Sequence, residues 1–296
     1  IPGTETCMRI SGMVRAQYVW GNTRATNTTP GSLTSVVSAR AVDNIGIRAR
    51  GRLNVDTRTQ TSWGTLRSYF RFEGTHNTAY GPNSFYTGGD QFRPTYAFIQ
   101  FAGITAGRAQ SFFDFYANNY SWGTAARNSD IQTNLLAYTA TFGGGFSATL
   151  GIESPADNQF VATLPSGSVP GLYNTAVARA AGVRYPDAVG ALRVDQGWGS
   201  AQLSGAFGRR QTFASTGVGA FHKDFNIWAV KGGVQINLPM LAAGDQLWLE
   251  ASYSKGSLER LGWYGNNGSD NENGWRSGYV GVNAGAGAHR SKVDEH

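Results

Sequence analysis

The sequence predicts an all-β protein, an antiparallel up-and-down transmembrane β-barrel. Three observations predict it. Apolar residues recur at every second position, long and short connections alternate along the chain, and charge is scarce. Charged residues make up 15% of the 296, against roughly 25% in typical soluble domains, while glycines number 40 and aromatics reach 12%. Mean hydropathy is −0.31. No apolar run approaches the roughly 18 residues of a membrane helix, but barrel strands carry only a weak alternating signal of about ten residues each.

The strands follow in order. The first, over 8–20, alternates Arg9, Arg15 and Gln17 with Ile10, Val14, Ala16 and Tyr18. The second, over 44–56, sets Ile45, Ile47, Ala49, Leu53 and Val55 against Arg48, Arg50, Arg52, Asn54 and Asp56. Successive side chains of a strand point to opposite faces, so one face is apolar and the other stacks three guanidinium groups. Lipid outside and a wet lumen inside explain that pattern better than a soluble sheet does. The third, over 64–75, repeats it with Arg67 and Arg71 against Leu66, Phe70 and Phe72. The fourth and fifth, 95–102 and 104–110, alternate weakly about Gly103 and are expected to contact protein on both faces. Strands over 132–142, 145–153, 188–195, 198–207, 225–238 and 246–255 follow, with a weaker twelfth over 275–286.

The connections sort by parity. Residues 57–63, 103, 143–145, 196–197 and 239–245 are short. Residues 21–43, 76–94, 111–131, 154–187, 208–224 and 256–274 are long and rich in Gly, Asn, Ser, Thr and Pro. Barrels of the bacterial outer membrane have short periplasmic turns and long external loops. Tyr18 and Trp20 are then expected at the outer interface, and Trp63, Trp198 and Trp248 at the inner one, as aromatic girdles.

The net charge is +6, and 21 of the 25 basic residues are Arg. They alternate with apolar residues inside strands instead of forming a solvated run, which argues against nucleic acid as a partner. Arg9, Arg15, Arg48, Arg50, Arg52, Arg67 and Arg71 are expected to line the lumen as a cationic wall. The loop over 111–130 carries Phe112, Phe113, Phe115, Tyr116, Tyr120 and Trp122. A segment that apolar is expected to fold back into the barrel, bringing Asp114 to the narrowest point and Asp130 close by. The bland alternative makes the arginines ordinary partners of Asp56 and Glu73. Cys7 is the only cysteine, and no cluster has metal-ligand spacing, so neither metal nor cofactor is expected. His76 and His222 fall in long loops outside any nucleophile–base arrangement, which argues against a barrel enzyme.

The opening IPGTETCMRISGMVRAQY resembles the first strand of the general porins of alphaproteobacterial outer membranes. YAFIQFAGITAGRAQSFFDFYA resembles that family's strand pair running into its constriction loop, and NLLAYTATFGGGFSATLGIE and VDQGWGSAQLSGAFG are similar to later strand pairs. The resemblance covers residues 1–262. It implies a 16-stranded homotrimeric diffusion pore in the Gram-negative outer membrane, passing small hydrophilic solutes and ions, with its third external loop, Ser111 to Asp130, inside the channel. It also implies an upstream partner for Cys7. About twelve strands are readable here. At roughly 24 residues per strand, four more need about 96 residues. The chain is therefore expected to be one barrel domain over 1–296, incomplete or diverged after about 275. A sugar-specific channel or receptor is the nearest rival, with the aromatic third loop as a greasy slide. A soluble all-β binding domain is remoter.

Overall fold

The computed structural model describes residues 4–20, 45–78, 90–116, 129–155, 177–180, 183–216, 219–242 and 244–262. Strand is almost the only regular structure among them, the exception being a single 3-10 turn, Leu258–Leu261. The strands are β1 (Thr6–Trp20), β2 (Ile45–Thr61), β3 (Gly64–Thr78), β4 (Asp90–Phe101), β5 (Ile104–Gln110) and β6 (Gln132–Gly143). They continue as β7 (Phe146–Glu153), β8 (Val177–Ala180), β9 (Asp187–Gln196), β10 (Gly199–Thr216), β11 (Gly219–Asn237) and β12 (Gln246–Lys255). Hydrogen-bonded neighbours follow chain order, an up-and-down meander, except that β8 pairs with the far end of β10. Among the described residues no ladder joins β12 to β1. The chain divides into two compact units, residues 1–99 and 100–296.

In the first unit, Arg15 stands opposite Arg50, and Arg50 opposite Thr75. That register places every Arg, Asp and Glu of β1–β3 on one face: eight arginines and two carboxylates. The opposite face is apolar and exposed, with Ile10, Val14, Ile47, Leu53 and Phe70 on it. The second unit is built the same way. Leu150, Leu192, Leu203, Phe207 and Leu249 are exposed, Leu150 at 71%, while Ser200, Ser204, Lys231 and Gln235 are buried. Soluble sheets bury the apolar face. This inside-out arrangement suits lipid around the strands and water along their polar face.

Several connections differ from expectation. The turn expected over 57–63 is only two residues long, Ser62 and Trp63, because β2 runs on to Thr61. The turn at Gly103 also includes Ala102, and both residues have positive φ (49° and 83°). That is the type I′ geometry whose twist matches paired antiparallel strands.

The long loop expected over 208–224 does not exist. β10 and β11 pair without a break from Gly199↔Ile236 to Thr216↔Gly219. Eighteen residues of β10 extend about 60 Å, well beyond a membrane band, and in water a paired ladder satisfies backbone groups as well as a coil does. The Gly, Ser and Thr composition that suggested a loop is equally compatible with a polar two-stranded extension. β8, inside the expected 154–187 loop, was not anticipated. The expected twelfth strand over 275–286 lies outside the described residues.

Candidate functional site

The cationic face of the first unit is held together by local pairs. Arg67 donates to both carboxylate oxygens of Asp56 at 2.9 and 3.0 Å, and Arg58 reaches the same carboxylate at 3.4 Å. Arg52 donates to Glu73, and Arg50 lies 3.8 Å from it while donating to Thr75 Oγ1 at 3.2 Å. Arg71 turns to neutral acceptors, Asn54 Oδ1 at 2.9 Å and the Tyr69 hydroxyl at 3.0 Å. Arg48 and Arg50 are buried, Arg15, Arg52, Arg67 and Arg71 half-buried, and Arg9 exposed. The expected partners Asp56 and Glu73 are thus engaged. Two carboxylates leave eight guanidinium groups with a surplus of six positive charges.

The start of the third long loop belongs to the second unit and lies down on the polar face of β9–β12. A row of small apolar residues interrupts that face: Val189 stands opposite Ala206, and Ala206 opposite Ala229. Phe113 fills the seat they make and is fully buried. Ser204 Oγ donates to the Phe113 carbonyl at 2.7 Å, and Gln202 Nε2 donates to the carbonyls of Phe112 and Asp114, both at 3.2 Å. Two residues on, Phe115 covers Gly233, where an added Cβ would stand 2.2 Å from the ring. Only glycine permits that approach. Tyr116 stacks on Trp248 with centroids 3.8 Å apart, and its N–H donates to Glu250 at 2.7 Å. Trp248 therefore points to the polar face and is no girdle residue. Trp63 and Trp198 are exposed within their turns.

Asp114 is buried within this anchor. Its carboxylate accepts from Ser129, from the Ile131 N–H at 2.7 Å and from Gln110 at 2.5 Å. Lys231 Nζ lies 3.9 Å from Asp114 and 3.8 Å from Glu250. Asp130, between Ser129 and Ile131 in sequence, is half-buried.

A second cluster locks the root of the same loop. Arg260, from the 3-10 turn, donates to Glu153 at 3.0 Å, Asp187 at 3.1 Å and Ser111 Oγ at 3.0 Å. Arg210 grips Asp187 with two bonds of 2.6 and 2.8 Å and Glu259 with a third of 2.7 Å. Ser111 closes the ring by donating to Glu153 at 2.8 Å. Burial works against the charge on Arg260. The carboxylates of Glu153, Asp187 and Glu259 outweigh it and hold the pKa above the ordinary arginine value. Sequence reading missed all five ionisable groups, along with Lys231 and Glu250. The alternation of β11 puts Lys231 on the polar face and could have marked it. The cluster at the loop root joins residues up to 149 positions apart, as Ser111 and Arg260 are, and has no local signal.

Comparison with known proteins agrees with this geometry. The sequence profile described as the Porin subfamily matches residues 1–286. The chain is 27% identical over 270 residues to porin Omp2b of Brucella suis, covering 86% of this chain and 61% of that protein. It is 28% identical over 283 residues to porin Omp2b of Brucella neotomae, covering 91% and 65%. The chain thus spans about three fifths of the length of the curated relatives it matches. Among solved structures, the outer membrane channel DcaP of Acinetobacter baumannii aligns with a TM-score of 0.54 at 15% identity, covering 89% of this chain and 70% of that one. That likeness concerns the fold.

Proposed function

Because the chain belongs to the Porin subfamily, we propose that the full-length protein is an outer-membrane channel through which small hydrophilic solutes and ions diffuse passively. The observation that carries this reading is the inversion of the sheet: arginines on the polar face, exposed leucines and valines on the other. Charge on a strand is tolerable in a membrane only where it faces water or a partner. Membership of the family supports a channel in preference to an enzyme. The third loop, held by the Asp114–Lys231 anchor, serves as the constriction, and the arginine face of β1–β3 lines the lumen. The protein assembles as a homotrimer through the outward faces of β4 and β5. The aromatic residues of the third loop that are described, Phe112 to Tyr116, are packed against strands, which disfavours the greasy-slide reading.

Reconstitution of the full-length protein in planar bilayers tests this. Stepwise, ohmic current increments are expected, from a species with three times the protomer mass in mild detergent. Vesicles that stay impermeable to salt would refute the channel. A monomer of full conductance would refute only the trimer.

The seat of the third loop can be probed separately. Gly233→Val places a side chain where the Phe115 ring lies, so the loop must lift away and the Tyr116–Trp248 stack must break. A larger unit conductance is expected. An unchanged conductance would mean that this part of the loop does not narrow the lumen.

A further inference from the structure

Three aromatic rings stand out of place on the polar face of the first unit. Tyr69 of β3 and Tyr96 and Phe98 of β4 are half-buried among arginines, on the face opposite Phe70 and Ile99. Barrel aromatics belong on the lipid side or at the rims. Tyr69 and Phe98 stack with centroids 5.2 Å apart and planes 27° from parallel, and Tyr96 meets Tyr69 edge-on at 6.1 Å. Arg71 Cζ lies 4.6 Å from the centre of Tyr96, and Arg67 Cζ lies 5.4 and 5.5 Å from Tyr69 and Phe98. Both guanidinium groups are immobilised, Arg67 by the Asp56 fork and Arg71 by Asn54 and the Tyr69 hydroxyl. The result is a rigid strip of alternating flat cations and flat rings, preorganised so that a ligand need not order it.

We infer that this strip binds flat organic anions, aromatic carboxylates in particular, as they pass. A planar guanidinium presents N–H donors at its edge to a carboxylate and a π-face to an aromatic body. The positive surplus on the same face attracts any anion, but only the rings favour a flat one over a compact one. The inference rests on the channel reading and goes beyond it by naming a site and a solute class.

The test measures block of the chloride current through the full-length protein by sodium benzoate and by sodium acetate. In the wild type benzoate half-blocks at a concentration about tenfold lower than acetate, the gain that one ring contact supplies. In Tyr96→Leu/Phe98→Leu, which keeps apolar bulk, benzoate block weakens about tenfold while acetate block stays put. Equal block by the two anions in the wild type overturns the inference. So does a parallel weakening of both in the variant, which would mean that the rings only hold the arginines in place. Absence of any channel current overturns the proposed function and the inference with it.

Discussion

Arg260→Met is expected to destabilise the protein by about 3–5 kcal/mol, the largest effect of any single substitution at the loop root. Among the described residues Arg260 is the one cation that pairs with both Glu153 and Asp187, and all three side chains are almost completely buried. Removing it leaves Glu153 with Ser111 and the Phe112 N–H as donors, and leaves Asp187 to Arg210 alone. Two buried carboxylates would then share less positive charge than they need, and the cost of an uncompensated buried charge exceeds the worth of any single pair. Arg260→Lys should recover only part of the loss, since an ammonium cannot span both carboxylates and Ser111 with a planar fork. Heat or urea unfolding in detergent reads the difference. Because Ser111 opens the third loop, the same variant should give noisier single-channel currents. A destabilisation below about 1 kcal/mol would show that water replaces the guanidinium and that the cluster is less closed than its burial implies.

What the sequence made legible, and what it hid, follows from the range of each interaction. Strand identity is local. Alternation over Ile45–Asp56 sufficed to place Arg48, Arg50 and Arg52 on one face, and the register bears that out. The packing of the start of the third loop on the strands was legible too, because Phe112, Phe113, Phe115 and Tyr116 are too apolar for open solvent. Its seat was not legible. Val189, Ala206 and Ala229 are unremarkable residues on three strands and become a socket only when β9, β10 and β11 pair in register. Trp248 was misassigned to a girdle because position near a turn says nothing about which face a ring occupies. The hairpin of β10 and β11 was cut short because Gly, Ser and Thr mark loops in one setting and solvated ladders in another.

Replacing Arg48 and Arg50 together by Ala is expected to shift the reversal potential under a salt gradient toward cation selectivity, with a small rise in conductance. These two arginines are the most buried of the cationic face, and Arg50 also touches Glu73 and Thr75. The eight arginines and two carboxylates of β1–β3 carry a surplus of six positive charges. The double variant removes two of them and widens the lumen by two long side chains. At 0.15 M salt the Debye length is about 8 Å, so the change registers only if this face borders the narrow part of the pore. Asp114→Asn should act in the opposite direction. It takes one carboxylate from beside Lys231, which keeps Glu250 at 3.8 Å, and so unmasks positive charge beside the third loop. The effect should be smaller than that of the arginine pair, because the Asp114 carboxylate is already tied to Ser129, Ile131 and Gln110 and contributes little open field. Reversal potentials that stay put in both variants would remove these residues from the constriction. A shift with Arg48 and Arg50 alone would make the arginine face the selectivity element and leave Asp114 a fastener of the loop.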